Sequence, residues 1–528
     1  MKDFRVENNR EPARRHMKVR MGATFIANVC RAGLSFLAGV VVAHGLGASE
    51  YGDLSFLLSS FAAISQLFEM GTSSAFYTFI SKRQKPAIFY AVYCGWLSFQ
   101  FFGTVVAVGV ISTTRILDIL WLGNPRGAIL SAFLASFLMT QGWGTVVQLG
   151  EAARETLVVQ AVGIAQAVVH LVVIIIATKI GWLTVQSVLW ILAIEHFILV
   201  LACGPRFLLL NTYERDQGTE RLATVIKEFV SYCRPLAIYG WVGFAYAFAD
   251  RWLLQHFGGS EQQGFFAVGQ QFANVSLIAT TSILKVFWKE VAEARQRQDH
   301  ERVKQLFFSV SRGLFYGTAC VSCLLIPYGR DILRATVGHE YETAYPTLSL
   351  LLLYAIYQSL GQIGGTFFYA CGETGEYVRI SIVMMAIGAL ITYFLLAPYS
   401  AILPGLGLGA TGLALRLIVH AVIEVNMKLH RIARMNRWPY TYWYQAIVIG
   451  ILLSMGYVCK WIASSVVSLV TGHTSPLMVL GFSAPIYIVL SLCVLSCAPT
   501  LAGMTREQLI VIVRAIQSKR TERFFLVK

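Results

Sequence analysis

Clear among the stretches that run for more than twenty residues without a charged side chain are Ile88–Thr114, Ala128–Gly150, Gln262–Leu284, Thr343–Gly372 and Trp438–Cys459. A helix of about 20 apolar residues crosses the hydrocarbon of a bilayer, so each can span a membrane. Only 13% of the 528 residues are charged and 56% are hydrophobic, against about 25% charged in a soluble domain. That few charges cannot cover a surface folded in water. A soluble enzyme, a secreted disulfide scaffold and a disordered chain are thereby excluded. Two longer runs must fold back on themselves. Ile380–Leu415 breaks around Pro398–Gly409, and Trp461–Thr505 breaks around Thr471–Pro476. Further spans carry one or two ionisable residues, among them Arg31, Glu69, Glu195 and Asp250. The expectation is an all-α polytopic membrane protein of about 14 transmembrane helices.

The basic residues orient it. With spans alternating, 34 of the 43 Lys and Arg fall on one side, 6 on the other and 3 inside spans. Short basic loops stay cytoplasmic, which puts both termini in the cytoplasm. The same bias accounts for the net charge of +15 without nucleic acid as a partner. The first hydrophobic stretch has no small-residue cleavage site and reads as a retained span. The ten cysteines lie singly or loosely in apolar runs. The one CxxC, Cys320 and Cys323, has no His or further Cys beside it and reads as packing, with no metal site.

An internal repeat is visible. Leu46-Gly47-Ala48-Ser49-Glu50-Tyr51-Gly52 aligns without a gap to Gly258-Gly259-Ser260-Glu261-Gln262-Gln263-Gly264. The offset is 212 residues, or six spans, so the halves share an orientation and form a parallel repeat. The chain then divides into a basic cytoplasmic arm (1–20), a six-helix lobe (21–203), a connection (204–227) and a second six-helix lobe (228–427). Two added C-terminal helices (438–498) and a tail (499–528) follow. Residues 1–20 read as flexible. The tail begins with a capping box at Thr505-Arg506-Glu507-Gln508 and continues as an amphipathic helix.

Arg31 in the first span, the loop 46–52 and Gly71 late in the second resemble the start of polysaccharide flippases of the Wzx type. Pro235, Asp250-Arg251 and Gly264-Phe265-Phe266-Ala267 resemble the second-half pattern of that family. These flippases belong to the multidrug/oligosaccharidyl-lipid/polysaccharide exporter superfamily. The resemblance covers residues 20–427, and two extra helices suit its fourteen-helix members. It implies transport of a lipid-linked oligosaccharide, an undecaprenyl-pyrophosphate repeat unit, from the cytoplasmic to the outer leaflet of a bacterial inner membrane by alternating access. That serves surface, exopolysaccharide or lipopolysaccharide biosynthesis, with a polysaccharide polymerase and chain-length proteins as partners. It implies no enzymatic step and no cofactor, and leaves coupling to H+ or Na+ open. Gly269-Gln270-Gln271-Phe272 departs from the small, apolar residues usual there, which leaves the substrate's identity open.

Polar residues inside the spans mark the candidate site. Arg31 sits about ten residues into its span, roughly 15 Å deep, where a charge costs at least about 2.5–3.5 kcal/mol. It either faces a wet cavity and meets an anionic headgroup, or pairs with an acid such as Glu69. Asn28 shares its helical face. Gln66 and Glu69 mark the second span and Gln141 the fourth. Gln270, Asn274 and Lys285 mark the eighth span, and Gln358 the tenth. The same spans of each half are polar, as a cavity between two lobes requires. Interhelical hydrogen bonds explain any one stripe but the symmetric set less well. Asp250 and Arg251 read as gating or structural, with direct substrate contact as the alternative. Glu195, His196 and His170 read as a proton relay or as hydrogen-bonded packing, and Arg416, His420 and Glu424 as a self-paired face.

Two rivals come from the same superfamily. A cation-coupled drug antiporter should carry an acid in its first span, yet no Asp or Glu lies between Ala32 and Ser49. A lipid II-type flippase is not separated by sequence. A membrane enzyme would need a larger external loop than the connection at 328–342.

Overall fold

The computed structural model describes residues 10–212, 221–471, 475–504 and 507. The side chains of residues 10–23, 235, 279, 281–282, 285, 470–471 and 477 lie outside that description. The tail after Thr505 and its amphipathic helix therefore fall outside as well, apart from Glu507. The described residues are helical with no strand, and ten helices are long and apolar enough to cross a membrane. This is a multi-pass membrane protein.

Helix α1 (Arg10–Glu69) and helix α9 (Leu222–Val275) are each two spans joined at one residue. The joints are Gly47 (φ 76°, ψ 175°) and Gly259 (φ 78°, ψ 178°). Only glycine enters that region without a steric cost. The two glycines are the aligned second residues of the repeated heptapeptides, so the repeat appears in the backbone itself. The heptapeptides, expected as loops, are helical apart from that residue. Helix α1 also begins at Arg10, inside the arm expected to be flexible.

The second span of each half is broken again. Helix α2 (Thr72–Lys82) follows Met70 (φ 42°) and Gly71 (φ 85°), and helix α10 (Ile278–Gln296) follows Ser276-Leu277. Spans three to six are α3 (Ala87–Val106), α5–α6 (Arg126–Phe137 and Trp143–Ala152), α7 (Thr156–Lys179) and α8 (Val185–Asn211). The short α4 (Thr114–Trp121) leads into α5. Spans nine to fourteen are α11 (His300–Leu325), α13 (Tyr345–Cys371), α14 (Thr374–Leu396), α15 (Gly409–Asn436), α16 (Trp443–Thr471) and α17 (Pro476–Cys497). The short α12 (Gly329–Thr336) lies in the 328–342 connection. Among the described residues these helices make fourteen such segments. A break falls at 397–408, where Pro and Gly placed it, and α16 ends at Thr471 with α17 starting at Pro476.

The chain forms two compact units, residues 1–267 with 385–413, and residues 268–384 with 414–528. The first has two apolar cores. One gathers Phe56, Leu57, Phe61, Ile129 and Phe133, with Trp121 Nε1 donating to Ser60 Oγ at 3.1 Å. The other stacks Phe76, Phe89, Tyr93 and Phe229. Within this unit the repeat closes on itself. A Cβ on Gly52 would run into the Ser260 carbonyl, and one on Gly264 into the Ala48 carbonyl. Ala48 and Ser260 are repeat mates, as are Gly52 and Gly264, so the crossing is reciprocal. The second unit packs α10, α11, α13, α15 and α16 around Phe307, Phe315, Leu360 and Phe367. There Cys323 is fully buried and its carbonyl lies against Gly456.

Candidate substrate site

In the first unit Arg31 is partly buried inside the first limb of α1. Its Nη2 donates to Asn28 Oδ1 at 3.2 Å, three residues back on the same face. The guanidinium lies over Gly163 of α7, where a Cβ would stand 3.4 Å from Nη1. Among the described residues no hydrogen bond or ion pair joins Arg31 to Glu69. The cation therefore sits in the span without the acid that sequence offered as its partner.

The second limb of α1 leans on glycines of α9. A Cβ on Gly240 would lie 3.1 Å from the Gln66 carbonyl oxygen, and one on Gly243 the same distance from Gln66 Oε1. Gln66 is exposed and Glu69 partly so. Gln141 is buried in a π turn, Leu138–Gly142, and its carbonyl accepts from Thr145 Oγ1 at 2.6 Å. One turn on, Gln148 Nε2 donates to Ser73 Oγ at 2.6 Å. The fourth span's stripe thus serves helix–helix hydrogen bonds at least in part.

Asp250 is buried and accepts from Thr392 Oγ1 of α14 at 2.9 Å, while Arg251 stacks over Phe266 at 4.5 Å. The two neighbours thus diverge, as expected for adjacent helical residues. His170 Nδ1 lies 2.9 Å from Glu195 Oε2, which also accepts from Gln166 Nε2 at 3.3 Å. His196 is held separately, on the Leu192 carbonyl.

In the second unit Gln270 and Gln358 are partly buried and Asn274 is exposed. The side chain of Lys285 lies outside the described residues. Glu424 accepts from Lys428 Nζ at 2.7 Å and from Ser381 Oγ at 3.2 Å, and faces His420 Nε2 at 3.1 Å. Arg416 is fully buried. Sequence reasoning missed Lys428 and the second tie between α14 and α15, Arg431 Nε to Glu376 at 2.9 Å. The i, i+4 spacing of Glu424 and Lys428 was the available signal. It also missed Lys85, counted only as a basic-loop charge. Lys85 is 2% exposed, pairs with Glu228 at 2.9 Å and lies over Phe79 and Phe89.

A lipid II flippase, MurJ, in an inward closed conformation superposes with a TM-score of 0.66 at 13% identity, covering 90% of this chain and 98% of that one. A multidrug resistance MATE transporter of the MOP superfamily, inward-facing, gives 0.52 at 12% identity over 77% of this chain and 96% of that one. The chain has the fold of the MurJ and MATE transporters. A MOP superfamily transporter from Pyrococcus furiosus, described as having a binding pocket of reversed polarity, gives 0.53 at 13% identity, over 78% and 95% of the two chains. No family model and no curated protein sequence matches the chain.

Proposed function

We propose that this protein flips a lipid-linked oligosaccharide, carried on undecaprenyl pyrophosphate, from the cytoplasmic to the outer leaflet of a bacterial inner membrane. The observation that carries this is Arg31, a partly buried span cation whose described partner is the neutral Asn28. A charge in hydrocarbon is costly without an opposite charge or water. With no acid between residues 32 and 49 of the same helix, the fitting visitor is an anion. The pyrophosphate supplies it, and its two phosphates suit a guanidinium fork.

The headgroup sets the need for a transporter. Each unpaired sugar hydroxyl costs roughly 4–8 kcal/mol in hydrocarbon, so the glycan needs a hydrated path while its tail stays in lipid. Two lobes in alternating access give that path without covalent chemistry. Asn28, Gln66, Glu69, Gln141, Gln270, Asn274, Lys285 and Gln358 would line it, with Asp250 and Arg251 holding its gate. The product would pass to a polymerase working with chain-length proteins. The basic-side loops would face the cytoplasm. A lipid II-type substrate is the second reading, favoured by the coverage of MurJ.

Export and membrane abundance should be measured for Arg31→Ala, Arg31→Lys and Glu69→Gln. Arg31→Ala should abolish export at normal abundance, and Arg31→Lys should retain part of it, because a point charge attracts phosphate but lacks the bidentate fork. Wild-type polymer from abundant Arg31→Ala protein would reject the role. Normal polymer in a deletion strain, with raised drug sensitivity, would favour the antiporter.

A further inference from the structure

We infer that His170 and Glu195 form a proton-binding site inside the first unit, linked to anion binding at Arg31; the linkage rests on the flippase reading above. His170 is the one ionisable residue of α7 before its terminal Lys179, and Glu195 stands ten residues into α8. Both are therefore deep in their spans. They are 15% and 12% exposed and 2.9 Å apart. Glu195 Oε2 takes both Gln166 Nε2 and the imidazole, whereas Glu195 Oε1 is buried with no hydrogen-bond partner among the described residues. A packing pair would satisfy both oxygens, since an orphaned buried acceptor costs about 1–3 kcal/mol, more when charged. This pair instead keeps one carboxylate oxygen open to a proton.

The pair lies on the same helix as the arginine's seat. Gly163, Gln166 and His170 follow at i, i+3 and i+7, one face of α7, and Gly163 is where Arg31 rests. Seven residues are about 10 Å along a helix. The surrounding charges are few. The first limb of α1 brings Arg31 and, near its outer end, His44. The second limb carries Glu50, Asp53 and Glu69, of which Asp53 is engaged by Gln255 and Ser260. Helix α8 adds His196 beside the pair, and Arg206 eleven residues on. The fourth span has no ionisable residue between Arg126 and Glu151.

The sign of the linkage follows. With its site empty, Arg31 projects positive potential toward the pair and disfavours an added proton there. An anion seated on Arg31 cancels that field, so the pair's share of bound proton rises as the anion binds. By reciprocity, protonation of the pair strengthens anion binding. Charges about 10 Å apart at an effective dielectric near 20 couple by roughly tenfold.

The test uses the full chain in nanodiscs, with undecaprenyl pyrophosphate as the probe and affinity measured from about pH 6 to about pH 8. Protons taken up on binding are counted with an indicator dye. The pyrophosphate's own titration contributes equally to every protein, so differences from wild type are read. Wild type should gain affinity toward low pH more steeply than Glu195→Gln or His170→Gln, by up to about threefold per pH unit and about tenfold in all, and should take up about half an extra proton at most. Both variants should still bind. Arg31→Ala should bind weakly and lose the extra slope. Equal slopes and equal proton counts in wild type and either variant overturn the inference while leaving the flippase reading intact. Failure of wild type to bind the probe at any pH overturns both.

Discussion

The reciprocal glycine crossing gives a prediction with a worked magnitude. Alanine at Gly52 would place its methyl on the Ser260 carbonyl, and alanine at Gly264 on the Ala48 carbonyl. Both obstacles are backbone and cannot rotate away, so the two helix limbs must separate. Overpacking of this kind costs about 1–3 kcal/mol. Elsewhere in a helix the same change gains up to about 1 kcal/mol, because alanine is the better helix former. Gly95 and Gly103 of α3 have no heavy atom within 4 Å of a would-be Cβ and serve as controls. Gly52 is helical too and shares that gain, so Gly52→Ala should fall about 1–3 kcal/mol below Gly103→Ala. The double variant, Gly52→Ala with Gly264→Ala, should cost less than the sum, since the separation forced by one methyl makes room for the other. Thermal melting of the detergent-purified protein, followed by size-exclusion chromatography, reads the order. A Gly52→Ala protein melting with the α3 controls would refute the close crossing.

Three further outcomes follow from single contacts. Glu228→Gln should lower membrane abundance by leaving Lys85 buried without its counter-charge. The cost should be about 2 kcal/mol, below the 3–5 of a fully buried pair because Glu228 is 35% exposed, and Lys85→Met with Glu228→Gln should recover most of it. Gly163→Leu should fill the seat of the Arg31 guanidinium and, on the proposed function, stop export at normal abundance; unchanged export would separate Arg31 from the transport path. Asn426→Leu should lower the melting temperature, because Asn426 Oδ1 accepts from Tyr440 at 2.6 Å and from Gln445 at 2.9 Å; the Tyr440 hydroxyl would lose its acceptor, and Gln445 Nε2 would keep only the Tyr440 oxygen at 2.9 Å.

The spans and their breaks were legible because hydrocarbon admits only long apolar helices, and Pro and Gly mark where they stop. The repeat was legible through one heptapeptide, and Gly47 and Gly259 show why that segment was retained: each sits in a backbone conformation that other residues avoid. What could not be read was pairing across sequence distance. Lys85 meets Glu228 because separate helices bring them together, and no spacing rule joins residues 143 apart; His170 and Glu195 were grouped by residue type, but only the packing of their helices shows that they touch while His196 turns to the Leu192 carbonyl. The Arg31 alternatives divide the same way. Glu69 was a reasonable partner by charge, but helix geometry gave the bond to Asn28, three residues away.

The repeat also shows where this protein is asymmetric. At the same offset of 212, Asn28 and Arg31 of α1 correspond to Gly240 and Gly243 of α9. One half thus carries an amide and a guanidinium where the other carries two glycines. Those glycines are occupied: Gln66 lays its carbonyl and its side-chain oxygen against them, so the second limb of α1 approaches α9 closely at the level where an arginine's mate would stand. Backbone symmetry is kept at the joints, Gly47 with Gly259, and at the crossing, Gly52 with Gly264. Chemical symmetry is dropped at the two positions that would double the cation. A carrier of one pyrophosphate per cycle needs one such cation. A second would add another buried charge to neutralise and would hold the anion after the first had released it. On the proposed function, the missing second arginine is what lets a site strong enough to take the anion also let it go.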